Sequence, residues 1–292
     1  MKPVLVVSML LIAVLGGCTD GAGSRGAAPT GVPKPSPAVS PSGPSGTSQS
    51  PSTPAGGGQR PAATGASTMT IELWLTRGGK LFPTKRTRPS TVATTTLSLR
   101  ELVAGASHTE AAAGVSTAVP AGTTFRASVT GGVATVSFPQ SFYDGGRTLA
   151  RLRQAQVVYT LSQFATVKTV GFQRDGEALG APIGRSGYAD LLPAIVVTSL
   201  RIGQRVDSPV TIAGTANVFE ATVSVRILDA SGAQLATGFT MATCGSGCRG
   251  RYSTSLAFRV GSVQPGRIQV YEVSAKDGSR VNLVDIPVTL AP

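Results

Sequence analysis

With three cysteines and one histidine in 292 residues, few side-chain arrangements could do covalent or metal chemistry. Cys244 and Cys248 stand together in Thr-Cys-Gly-Ser-Gly-Cys-Arg-Gly. In an exported chain such a pair reads as a disulfide. Closing so short a loop gains only ~2 kcal/mol, enough to pin a turn rather than hold up a domain. A metal site is the alternative, but it needs about four ligands, and His108 lies far off in sequence. Nucleophilic catalysis by a Ser-His-Asp or Cys-His set would also fall to His108, in Ala-Ser-His-Thr-Glu, which reads as a solvated loop after the first helix. Glycoside hydrolysis needs only two carboxylates about 5 to 10 Å apart. The candidates are Glu101, Asp144, Asp175, Glu177, Asp190 and Glu220. Asp144 and Asp175 precede glycines and read first as turn residues. Glu220, between Phe219 and Ala221 beside a core strand, needs a partner, and a buried ion pair with an arginine such as Arg226 is expected over a functional role. Gly245-Ser246-Gly247-Cys248-Arg249-Gly250 fits G-x-G-x-x-G literally, yet the residues after it alternate as a strand instead of opening a helix, so no dinucleotide site is expected.

The formal charge is +12, and removal of Lys2 with an N-terminal signal leaves 25 cations against 14 acids, or +11. A basic exported protein is drawn to anionic lipid or anionic wall polymer. Nucleic acid, the other usual partner of such charge, is argued against by the location. Arg77, Lys80, Lys85, Arg86 and Arg88 lie in and after the first hairpin and are the candidates for contact with phosphate-bearing polymer or headgroups, with ordinary solvated surface as the alternative. Trp74 sits on the strand face opposite Ile71, Leu73 and Leu75, where packing against a helix is favoured over sugar stacking.

The N-terminus has a signal-peptide layout: Met1-Lys2, an apolar run from Val4 to Leu15, then Gly16-Gly17-Cys18. The run is shorter than the ~20 residues a spanning helix needs. Leu15-Gly16-Gly17-Cys18 resembles a bacterial lipobox, which implies cleavage before Cys18 and acylation of its thiol, so that two or three lipid chains hold the protein on a membrane surface. From Thr19 to about Thr68 the chain is almost entirely Gly, Ala, Pro, Ser and Thr with no apolar period, a composition that cannot bury enough surface to fold. As a coil its ends would average about 40 Å apart.

Composition changes at Met69. Ile71, Leu73 and Leu75 alternate as a strand, Arg77-Gly78-Gly79-Lys80 turns into a second strand around Leu81 to Thr84, and Thr95 to Ala104 reads as a helix ended by Gly105. Phe125 to Phe138 reads as a hairpin about Gly131-Gly132. Arg147 to Phe164 is the clearest helix, with Leu149, Leu152, Ala155 and Tyr159 on one side and Arg147, Arg151, Gln154 and Ser162 on the other. Val167 to Phe172 closes this α+β domain as a strand. After Leu191-Leu192-Pro193 seven short alternating runs predict a β-sandwich: Ile195–Ile202, Pro209–Gly214, Thr222–Leu228, Gln234–Met241, Arg251–Val260, Arg267–Ser274 and Leu283–Leu290. Pro287 favours a sheet edge.

Leu102-Val103-Ala104-Gly105, Val119-Pro120-Ala121-Gly122-Thr123, Gly132-Val133-Ala134-Thr135-Val136-Ser137, Gln156-Val157-Val158-Tyr159-Thr160-Leu161 and Val167-Lys168-Thr169-Val170 together resemble the GerMN domain of sporulation and germination lipoproteins. Asp207-Ser208-Pro209-Val210, Gly214 to Ala221, Ala242 to Gly250 and Tyr271 to Ala275 are similar to the immunoglobulin-like module of bacterial spore germination proteins. The expected organisation is a signal peptide over 1–17, a disordered linker over 18–68, a GerMN-like α+β domain over 69–188 and an all-β immunoglobulin-like sandwich over 189–292. The resemblance implies a non-catalytic, cofactor-free lipoprotein on the outer face of a cell membrane. It would bind peptidoglycan or anionic wall polymer, or an envelope protein, with a regulatory partnership to a membrane sensor or germination complex as the alternative and a wall glycosidase third.

Overall fold

A computed structural model describes residues 67–292, which fall in one compact unit. Cys18, the 1–17 segment and nearly all of the 18–68 linker lie outside the described residues. Among those described, no helix is long and apolar enough to cross a membrane.

The first half is α+β. Strand β1 (Thr68–Arg77) turns through Gly78 and Gly79, both at positive φ, into β2 (Lys80–Pro89). Next come α1 (Thr94–Ala104), ended by Gly105 as expected, and a short α2 (His108–Ala112). Strand β3 (Val115–Ser116) then joins β1 to give the order β2-β1-β3. A second sheet, β4-β5-β6-β7, contains the expected hairpin of β4 (Arg126–Thr130) and β5 (Val133–Phe138). After α3 (Arg147–Leu161) come β6 (Thr169–Arg174), parallel to β5, and β7 (Glu177–Ala178).

Helix α3 touches both sheets. That explains the first departure from the helical pattern: every residue from Ala155 to Leu161 is buried, so the second half of the helix has no solvent face. Its buried polar residues serve β1, which beyond its two-residue pairing with β3 leaves an edge of unpaired backbone groups. The Trp74 N–H donates to Thr160 Oγ1 (3.0 Å), and Gln156 Nε2 donates to the Trp74 carbonyl (2.9 Å). The Glu72 N–H donates to Gln163 Oε1, and Gln163 Nε2 donates back to the Glu72 carbonyl, each at 2.7 Å. Side chains thus replace a neighbouring strand.

The second half is the predicted sandwich. Its strands are β8 (Ile195–Val197), β9 (Arg205–Val206), β10 (Val210–Ala216), β11 (Thr222–Asp229), β12 (Gln234–Met241), β13 (Gly250–Leu256), β14 (Gln264–Val273) and β15 (Arg280–Leu290). They form sheets β13-β10-β8 and β12-β11-β14-β15-β9 around a core that includes Ile212, Val225, Ile227, Ile268 and Leu290. Strand β9, absent from the sequence expectation, pairs in parallel with the end of β15. The Pro287 carbonyl accepts from the Gly203 N–H (2.8 Å), on the side away from β14, where its missing N–H would also point.

The halves share a packed seam. Ile195 and Val197 enter the sandwich core, while Val196 points the other way into the core of the first domain. Arg77, at the tip of the first hairpin, donates to the carbonyl of Asp285 on the outer edge of β15 (2.8 Å).

Candidate functional site

Where the C-terminal end of α3 meets the β1–β2 ribbon lies a cleft of about 510 Å³ lined by Thr70, Glu72, Lys85, Ser162, Gln163 and Arg185. The register of the hairpin places Glu72 directly opposite Lys85, so both stand on the Trp74 face of the ribbon. Gln163 is fixed by its bonds to the β1 edge, and Arg185 arrives from the 3-10 turn Arg185–Leu191.

Arg185 is held from several sides. Its Nε donates to Ser162 Oγ (2.7 Å) and its Nη2 to the Tyr159 carbonyl (2.9 Å), satisfying an end carbonyl of α3 where the helix dipole favours a cation. The guanidinium also lies 5.7 Å from the Trp74 ring centre and 5.0 Å from that of Tyr159. Trp74 is buried against Tyr159, as expected of a core residue, with ring centres 4.8 Å apart. Its Nε1–H donates to Glu72 Oε1 (2.7 Å), which fixes that carboxylate at the cleft. Burial raises the Tyr159 phenol above its ordinary value, and the Arg185 charge opposes only part of that rise. Among the described residues neither Lys85 nor Arg185 forms an ion pair with a carboxylate. Two cations beside one hydrogen-bonded carboxylate can hold an anionic group and accept a hydroxyl or amine next to it.

The rest of the basic cluster is dispersed. Period-two alternation along β2 puts Arg86 and Arg88 on the face opposite Lys85, toward α1 and α2. Arg86 donates to Glu110 (Nη1 to Oε1, 2.8 Å), and the Glu110 side chain is only 5% exposed. Burial alone would raise the Glu110 carboxyl. Hydrogen bonds from Arg86, Thr84 and the Ser107 N–H, with the Arg86 charge, outweigh that and hold it at about 2, below its ordinary 4.5. Arg88 is paired with Glu101 (2.7 Å). Arg77 spans the seam, and Lys80 donates to the Asp190 carbonyl (2.8 Å).

His108 is not in a loop. It opens α2, which Ser107 caps while Glu110 reaches back to the Ser107 N–H, a capping box legible as Ser-x-x-Glu but missed. Glu220 makes no buried pair with Arg226; it is exposed at φ +52, and its N–H donates to Ser246 Oγ (3.0 Å). Arg226 donates instead to Gln269 Oε1 (2.8 Å). The other candidate carboxylates are scattered. Asp190 is paired with Arg151 (2.6 Å), Asp144 accepts from Gln140 (2.9 Å), Asp175 occupies a turn at φ +49, and Glu177 is in β7. Cys244 and Cys248 are joined as a disulfide, with Cα atoms 5.7 Å apart. Their loop is so close that a Cβ at Gly250 would run into the Cys244 backbone, which accounts for a glycine of the false dinucleotide motif.

A family model described as "Sporulation and spore germination" matches residues 74–180, and one described as "Immunoglobulin-like domain of bacterial spore germination" matches 194–279. No curated protein matches the chain. Among solved structures, the tandem GerMN domains of the Bacillus subtilis sporulation protein GerM match at 17% identity and a TM-score of 0.36, covering 65% of this chain and 62% of that one, so this chain spans under two thirds of it. The first GerMN domain of the same protein matches at 20% identity and a TM-score of 0.31, covering 40% and 95%. A putative lipoprotein from Clostridium perfringens matches at 13% identity and 0.30, covering 43% and 93%. The chain therefore carries, in this order, a GerMN domain of the sporulation and spore germination family and the immunoglobulin-like domain of bacterial spore germination.

Proposed function

We propose that the chain is a non-catalytic binding module of the cell envelope, held at the outer membrane face through lipid on Cys18 and engaging wall polymer through the cleft between β1–β2 and the end of α3. The observation that carries this reading is the pair Lys85 and Arg185, two cations that among the described residues have no carboxylate partner, lining one cleft with a carboxylate fixed by Trp74. A stem peptide or a phosphate-bearing wall chain offers the matching anionic group with hydroxyls or amines beside it. The test is co-sedimentation with purified sacculi, with and without anionic polymers, across a salt series. Lys85→Ala should weaken binding about tenfold without changing the unfolding midpoint. Binding that Lys85→Ala leaves intact, or no binding at all, refutes the cleft as the site.

A further inference from the structure

The outward face of the five-stranded sheet is not what a solvated sandwich face requires. Pairing places Met241 beside Thr222, sets Ser224 between Phe239 and Tyr271, and sets Arg226 between Thr237 and Gln269. Phe239 is 69% exposed and Met241 56%, and Val273 on β14 is exposed as well. The corresponding face of the other sheet carries Thr211, Ser253, Ser255 and Arg251, the polar side chains expected there. Exposed apolar side chains gathered on one face mark an interaction surface.

The charges on this face are one-sided. Arg226 and Arg280 lie against the ring of Tyr271, at 5.9 and 5.5 Å from its centre, and among the described residues neither has a carboxylate partner. Arg267 is already matched by Asp285 (2.7 Å). The face thus joins an apolar stripe to two uncompensated guanidiniums.

We propose that this face docks a segment of a partner protein whose apolar side chains are flanked by carboxylates, the apolar groups covering Phe239 and Met241 and the carboxylates meeting Arg226 and Arg280. A second copy of this chain would bring like charges together. A lipid surface would leave Thr222, Ser224 and Gln269, which lie among the apolar groups, without use. This surface is independent of the wall-polymer cleft.

The test uses the full chain with Cys18→Ser, free of lipid, and a dye-labelled synthetic peptide of about 14 residues alternating Glu with Leu and Phe, followed by fluorescence anisotropy. The Glu peptide should bind saturably, about tenfold more tightly than the same peptide with Lys for Glu. Phe239→Ser with Met241→Ser should abolish that binding, and Arg226→Gln with Arg280→Gln should erase the charge preference, while sacculus binding persists in both. No binding, equal binding of the two peptides, or binding that survives Phe239→Ser with Met241→Ser overturns the proposal. Association with anionic vesicles, or dimerisation in sedimentation, that is lost in the Phe239→Ser, Met241→Ser variant would reassign the face to lipid or to a second copy.

Discussion

Replacing Glu110 by Gln should destabilise the GerMN domain by about 3 kcal/mol at neutral pH, with a particular pH signature. The carboxylate accepts from Arg86, from Thr84 and from the N–H that opens α2, so its loss leaves a half-buried guanidinium and a helix N-terminus short of an acceptor. Breaking such a pair by removing one partner costs ~3–5 kcal/mol. The titration leads to a similar figure: a drop from 4.5 to about 2 corresponds to roughly 3 kcal/mol at ~1.4 kcal/mol per tenfold. Because the folded value is depressed, this stability is complete above the unfolded value and is lost as pH falls toward the folded one. The wild type should therefore surrender about 2 kcal/mol between pH 5 and pH 3 that the variant never had. The chain's single tryptophan, Trp74, is buried in this domain, so urea unfolding followed by its fluorescence reports the relevant transition. A difference under ~1 kcal/mol at pH 7, or one of equal size at pH 3, would show that Glu110 does not act as argued.

Arg249 reaches out of the disulfide loop to the carbonyls of Pro193 (2.6 Å) and Ala194 (3.3 Å), where the two domains join. Arg249→Ala should cost ~1–3 kcal/mol and separate Trp74 fluorescence from far-ultraviolet circular dichroism, which coincide if the domains unfold together; unchanged midpoints and coincident curves would count against it. Cys18→Ser should block both acylation and signal removal, so that the chain runs at its unprocessed mass and takes up no labelled fatty acid; retention in detergent with the signal cleaved would sink the lipid anchor.

Local pattern made much of this architecture readable. The alternation of Ile71, Leu73 and Leu75, the paired glycines at 78 and 79, and seven alternating runs after Pro193 correspond to observed strands. What sequence hid was what lay opposite each element. Nothing in Ile195-Val196-Val197 says that its middle residue packs on another domain, and the all-round burial of Ala155 to Leu161 depends on two sheets that are remote in sequence. At the cleft, Lys85 was among the candidates, but its separation from Arg86 and Arg88 became visible only once β2 ran on to Pro89. Arg185, in Gly-Arg-Ser-Gly-Tyr, carried no signal at all, because its role is set by Trp74 and the end of α3. Glu220 misled for the opposite reason. A charge between apolar residues suggested burial, whereas a left-handed backbone turns it out to solvent.

The outer edge of β15 is closed by pieces from two sources: β9 from its own domain, and the Arg77 hairpin tip from the other. An open strand edge invites pairing with foreign chains, so the sandwich relies on its neighbour for part of its insulation. Recombining this module with an unrelated upstream domain would expose the Asp285 stretch, and a shuffled descendant would have to evolve a new cover. The two domains are therefore better regarded as one heritable unit than as interchangeable beads.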